Sequence, residues 1–376
     1  MAWGGPVITP SEITPTGDAQ WSTSAIDVKN HGVPSGASGV VIDVREDNSG
    51  GPYQIGARPA DSSDSVLLEL SISNNTQLYC AVDSNDEIEI YCEDLSECTF
   101  RITWYFGDEV YFHATPSTTK IDCTSGSWQT GVNAVDISSY VQGGDTAAAA
   151  ILLVNDTNVG GKFGLRCAGS SESLINGGVI NAVGAIVPVS SDKYDYYAQY
   201  NTFDIYFVGY IKANSGWAFG TTTPLASDSI ASADPTYTDL TQQSGKTGGL
   251  FRCITDVDST TWYNLRKNGD AHTYYYKRPG GKNNGWFIRE LDANGYAEVT
   301  VNTVNDSPIV QTWGVWAEPT ALYDDVIDQD AMTKNTYVYV TTVAPTDDTL
   351  TVTISAAGSA GSDVVVADNV GITLAE

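Results

Sequence analysis

Apolar positions along this chain gather in short runs separated by turn-forming residues, and no stretch keeps a helical period for long. Three runs stand out: "GVVIDVRED" (39–47), "AAAILLVND" (148–156) and "GLFRCITDVD" (249–258). Each is followed by a short polar turn and then by a second apolar segment that carries an arginine. These segments are "YQIGARPAD", "KFGLRCAGSS" and "WYNLRKNGD". Each unit then closes on an aromatic-rich strand: "FRITWYFGDEVYFH" (100–113), "FDIYFVGYIKA" (203–213) and "IVQTWGVWAE" (309–318). Between arginine and closing strand, "LYCAVDSNDEIEIYC", "VGAIVPVSSDKYDYYAQY" and "GWFIRELDANGYAEVTV" read as hairpins around Asp- and Asn-rich turns.

The arginines, Arg58, Arg166 and Arg266, lie 108 and 100 residues apart, and closing glycines recur at Gly107, Gly209 and Gly314. Entry segments recur as well: "WSTSAIDVKNHGVPSGASG", "WQTGVNAVDISSYVQGGDT" and a shortened "YTDLTQQSGKTGG". An internal period of about 100 residues, with turns every 8 to 12, predicts three tandem antiparallel β-sandwiches. A jelly roll is the first expectation for their topology and an immunoglobulin-like sandwich the second. The class is therefore all-β, with repeats over 21–116, 128–224 and 236–319. Linkers rich in Thr, Ser and Pro, such as "ATPSTTKIDCTSGS" and "GTTTPLASDSIASADPT", predict a chain of beads. Residues 1–20, with Pro6, Pro10 and Pro15, read as an extended docking arm. Residues 320–376 form a C-terminal β segment whose first part, 320–335, could be a short helix. Its strands would add to the third repeat or to a neighbouring subunit.

Charge narrows the partners. The 46 acidic residues against 18 basic give a net charge of -28, which repels phosphate backbones and anionic membranes. The same load suits a salty medium. No apolar stretch is long enough to span a bilayer, and the N-terminus lacks a basic and apolar secretory leader. Six cysteines include no CxxC pair, so buried small hydrophobes are expected, although local disulfides within 80–123 are open.

Candidate chemistry is sparse. Only His31, His113 and His272 exist, without ligand spacing, and no nucleophile, phosphate-loop or dinucleotide signature occurs. Acidic loops such as "DVDS" and "DSND" lack full calcium-loop spacing. No catalytic residue, metal or cofactor is expected. The arginines, recurring without a recurrent base or nucleophile, are expected to be architectural, pinning loops through carbonyls or carboxylates. Trp104, Trp217, Trp262, Trp286, Trp313 and Trp316 are mostly core by expectation. The run "HTYYYKR" places Tyr274, Tyr275 and Tyr276 alternately on both faces of a strand. With Trp286, these tyrosines form a candidate partner or ligand surface.

The tandem sandwiches, the "F-G-L-R" turn and the Pro-rich "WGGPVITPSEITPT" resemble virion surface proteins of tailed bacterial or archaeal viruses. The types in question are capsid decoration, head fibre, turret and tail fibre. That resemblance implies a non-enzymatic structural protein made in a host cytoplasm and carried on the particle. It would assemble as a symmetric homo-oligomer with other virion proteins, with a host-surface glycan or protein as a further contact. It implies no nucleic acid partner and no membrane insertion. A carbohydrate-binding adhesin or accessory module is the alternative, and a glycan hydrolase is a third.

Overall fold

In a computed structural model, each apolar run becomes a strand. The structure describes residues 4–7, 10–46, 53–70, 75–124, 126–156, 161–172, 182–213, 215–231, 233–254, 262–270, 275–277, 284–302, 304, 308–317, 322–323, 337–341 and 353–355. Two units result, Met1–Glu318 and Pro319–Glu376.

The first unit contains three sandwiches of one design. In the first, one sheet orders its strands Gly5–Pro6, Cys98–Phe106, Gly39–Glu46, Asn75–Ala81. The opposing sheet orders Gln20–Trp21, Glu87–Cys92, Tyr53–Pro59, Leu68–Leu70. Counted along the chain, the eight strands pair as 1-8-3-6 and 2-7-4-5, the jelly-roll arrangement of two interlocked Greek keys. The third sandwich repeats both orders in full. The second repeats the first order and, among its described residues, the pairing of strands 2, 7 and 4. Among the described residues the ladders between these strands are antiparallel.

The closing strand of every sandwich carries a β-bulge at one place. The extra residues are Thr103, Val208 and Trp313, each 105 residues from the next. Gly209 and Gly314 directly follow their bulges, and the residue so placed in the first repeat is Trp104. Gly107, which the sequence aligned with these glycines, lies beyond the strand end.

Several expectations need correction. The hairpins are arches: Asn75–Ala81 and Glu87–Cys92 flank the "DSND" turn but belong to opposing sheets. The same holds at "SSDK" and "DANG". Turn chemistry reverses the chain in either case and does not record which sheet receives it. The linkers are strands of the following repeat. Val110–Phe112 and Ile121–Asp122 pair with Phe203–Lys212, and Trp217–Phe219 and Ala226–Ser229 pair with Ile309–Trp316. Residues 1–20 are no free arm either. Gly5–Pro6 and Glu12–Ile13 pair with Cys98–Phe106, on a sheet edge where proline's missing N–H does no harm. Of the C-terminal segment, Leu322–Tyr323, Tyr337–Thr341 and Thr353–Ser355 pair with one another. The helix expected over 320–335 lies largely outside the described residues.

Beads on a string are also replaced. Inner strands Gly39–Glu46, Ala147–Asp156 and Gly248–Ile254 are buried almost throughout, which a sheet covered on one face cannot achieve. Their second faces are covered by the other repeats. The inner edge strands Asn75–Ala81, Ala182–Pro188 and Asn284–Glu290 each touch both of the others, as a pseudo-three-fold arrangement requires. Gly184 lies so near Gln77 that a Cβ there would meet the Gln77 carbonyl oxygen at 1.8 Å. Outer strands keep a wet face, as in the alternating Glu87–Cys92.

Repeats one and three join through a buried ion pair. Arg289 Nη2 donates to Asp43 Oδ2 at 2.8 Å, with both side chains at most 10% exposed. Strand register makes Cys80 and Leu153 the counterparts at the junction of repeats one and two. The junction of repeats three and one is thus ionic where that of repeats one and two is apolar. Asp43→Ala leaves Arg289 buried without its carboxylate and should cost about 3–5 kcal/mol. The double change Asp43→Leu, Arg289→Cys, which installs the other junction's pair, should recover most of that loss. Urea unfolding reads both, and a double variant no more stable than the single one contradicts this account.

Candidate functional site

The three arginines occupy one position on the fourth strand of each jelly roll, within Tyr53–Pro59, Phe163–Cys167 and Trp262–Lys267. Directly across the ladder stand Glu89, Asp195 and Glu298. Arg58 Nε donates to Glu89 Oε2 at 2.8 Å, Arg166 Nε to Asp195 Oδ2 at 3.2 Å, and Arg266 Nε to Glu298 Oε1 at 2.6 Å. An aromatic ring from the entry segment covers each guanidinium: Trp21 at 4.1 Å, Trp128 at 4.0 Å and Tyr237 at 3.6 Å. Two arginines also donate through Nη1 to a backbone carbonyl six residues onward, Asp64 for Arg58 and Glu172 for Arg166.

A planar fork suits this use: its edge serves carboxylate and carbonyl while its face stacks on a ring. Trp21 and Trp128 rest in turn against Tyr91 and Tyr197 of the seventh strand. Burial raises the Asp195 carboxyl above the usual range, outweighing the pull of Arg166. The signal for the aromatic partner was present in the sequence, since Trp21, Trp128 and Tyr237 begin the recurrent entry segments. Sequence spacing alone did not join it to the arginine.

The other candidate residues separate. Trp286 is buried, 6.1 Å from Trp313, with Arg252 stacked on it at 5.3 Å. It is a core residue near the common axis, which corrects its expected place on a surface. Arg252 is itself buried, and desolvation draws its pKa down to about 10. Tyr275 and Tyr276 lie on Tyr275–Lys277, paired with Trp262–Lys267, and Tyr274 lies outside the described residues. Trp104, Trp217, Trp313 and Trp316 are buried, and Trp104 of repeat one packs on Trp217 and Trp316 of repeat three.

Little here resembles a catalytic constellation. His31 Nδ1 hydrogen-bonds Ser11 Oγ at 2.8 Å, but Asp27, whose charge it feels, caps the following 3-10 turn through Lys29 N–H. Among the described residues no group of three His, Cys, Asp or Glu side chains could hold a metal ion. No helix of the described residues is long and apolar enough to cross a membrane.

Two cavities lie at equivalent places between repeats. One, of about 300 Å³, sits between repeats three and one and includes Arg266, Lys267 and Arg289 in its wall. Its counterpart between repeats one and two, beside Arg58 and Cys80, holds about 20 Å³.

No protein-family model matches the chain, and no curated protein matches it. Solved structures similar to it include a chain of the Sulfolobus turreted icosahedral virus, at 9% identity and a TM-score of 0.21. That match covers 82% of this chain and 86% of that one. Another is a chain of the lipid-containing bacteriophage PM2, at 9% identity and a TM-score of 0.15, covering 85% and 89%. Both are virus structures, and at these TM-scores neither likeness carries an argument about this chain.

Arg166→Ala removes the ion pair, the ring contact and the carbonyl bond together and should lower stability by about 1–3 kcal/mol. Arg166→Lys should recover less than half, because an ammonium cannot serve edge and face at once. Thermal midpoints equal to the parent's in both variants would remove the structural role.

Proposed function

We propose that this chain is a non-enzymatic structural protein of a virus particle, carried on its outer surface as decoration, head fibre or turret. The observation that carries the reading is the closure of three jelly rolls about one axis within a single chain. Viral capsid domains are a principal user of the jelly roll. That is an analogy of fold, and a fold alone does not give function. What supports it at the level of residues is how the chain uses its recurrent chemistry. Each repeated arginine is taken up by a carboxylate and a ring in the same molecule. The three sandwiches of the first unit offer similar outer sheets to solvent or to neighbours, the arrangement a building block uses for symmetric, multivalent contact. Its acidity keeps such copies apart in solution.

In this reading the partners are other virion proteins and further copies of the chain, with a host-surface glycan or protein as a distal contact. A tail fibre with receptor-binding duty, or a lectin-like adhesin, is the second reading. The cavity between repeats three and one favours it, since lectin domains also use the jelly roll.

Particles purified by density gradient from the culture that makes the protein should contain the chain in a fixed ratio to the main shell protein. Antibodies against the outer sheets should label intact particles in electron micrographs. A chain found only in the soluble fraction, never sedimenting with particles, would overturn the proposal.

A further inference from the structure

The pseudo-three-fold arrangement gives the two cavities a common frame. At the junction of repeats one and two, the wall positions are filled by Tyr79, Phe112, His113 and Val208, leaving about 20 Å³. Strand register places Ile288, Pro6, Val7 and Thr103 at the same positions between repeats three and one. Ile288, Pro6 and Val7 are each smaller than their counterparts, Thr103 matches Val208 in shape but brings a hydroxyl, and the space that remains is about 300 Å³. The opening thus arises from three reductions in side-chain size within one shared architecture. Its volume lies at the lower end of the range for small-molecule sites.

The wall has a definite character. One side is aliphatic, made by Pro6, Val7, Pro10 and Ile288. The other is polar and carries charges of both signs, with Arg266, Lys267 and Arg289 beside Asp270 and Glu290. Lys267 Nζ meets Glu290 Oε1 at 2.6 Å at a partly exposed rim. Arg266 is held by Glu298 and Arg289 by Asp43, and the Thr103 hydroxyl donates to Asp43 Oδ1 at 3.3 Å. Each of these cations already has a carboxylate, so the wall has no concentrated positive field for a phosphate. The carboxylates in the wall are Glu290, which has Lys267, and Asp270, and among the described residues no third acidic, His or Cys ligand joins them to hold a metal ion. Neutral hydroxyls can share both members of such ion pairs, because a hydroxyl donates to the carboxylate and accepts from the cation. A pyranose ring has that hydroxyl edge and also apolar C–H faces that suit the proline side.

We propose that this cavity is a binding site for a neutral saccharide ring, one per chain, at the junction where the third repeat meets the first. It goes beyond the particle reading and does not depend on it, because a sugar site serves a virion surface protein and a free lectin alike.

The test uses the full chain and a panel of neutral monosaccharides (glucose, galactose, mannose and N-acetylglucosamine) in saturation-transfer NMR. At least one should bind. The double variant Pro6→Phe, Thr103→Val places the other junction's residues in the cavity and should abolish the signal while the thermal midpoint holds or rises. Glu290→Gln, which removes a rim charge and adds no bulk, should weaken binding by tenfold or more and decides the matter if the filled variant does not fold. No binding by any of the four sugars overturns the proposal, as does binding unchanged in the folded filled variant or in Glu290→Gln. Inorganic phosphate or Ca²⁺ binding in place of sugar overturns the assigned class. Particle sedimentation of the same variants is read separately, so loss of sugar binding with normal incorporation marks this site alone.

Discussion

The sixth strand of each jelly roll is an edge strand, and its backbone groups on the open side need partners. Three such edges brought together answer that need for one another. Thr76 Oγ1 accepts from the Gly184 amide at 3.0 Å, and Gln77 Oε1 accepts from the Ile288 amide at 2.9 Å. Gln77 Nε2 donates to Asp43 at 2.7 Å, so the amide side chain links an edge to the buried ion pair. Gln77, Gly184 and Trp286 occupy equivalent positions in the three repeats, and all three are buried. A polar side chain, no side chain and the largest side chain share one crowded place. An unpaired edge would instead invite association with other chains.

Much else follows from that closure. Inner strands must be apolar on both faces, which accounts for runs such as "AAAILLVND" in place of strict alternation. Glu87–Cys92 alternates, and part-buried arginine clusters tie the second, fourth and seventh strands of each repeat together. Each cluster loses hydration as it forms, which offsets part of its ion-pair attraction, and the recurrence of the same set in all three repeats gives it weight. Closure also makes the last junction special. Repeat three meets repeat one without a direct chain connection, and there the structure uses an ion pair that demands one geometry where the junction of repeats one and two has Cys80 and Leu153. A buried pair of this kind is better evidence for specificity of docking than for stability.

The jelly-roll class was legible because its signals are local: short apolar runs, Asp and Asn turns and an internal period. The recurrence of Arg58, Arg166 and Arg266 was legible for the same reason. What failed to show were relations between strands distant in the chain. An arch and a hairpin use the same turn residues, so "DSND" could not report that Asn75–Ala81 and Glu87–Cys92 part company. Edge strands of two to four residues carry too few side chains to show alternation, so "KID" and "LASDS" passed for linker and Gly5–Pro6 for a free arm. That shifted the apparent start of each repeat. Trp286 looked like a surface residue because nothing in one strand tells that its second face meets other repeats. The difference between the two cavities needs the pseudo-symmetric frame before its four substitutions can be compared at all.

The most direct test of closure is amide hydrogen exchange on the full chain, resolved by residue. If the three repeats close on one axis, amides in Asn75–Ala81, Ala182–Pro188 and Asn284–Glu290 should be among the slowest to exchange, with matching opening free energies. Fast exchange in these three strands, at the rate of solvent-exposed edges and separately for each repeat, would contradict the account.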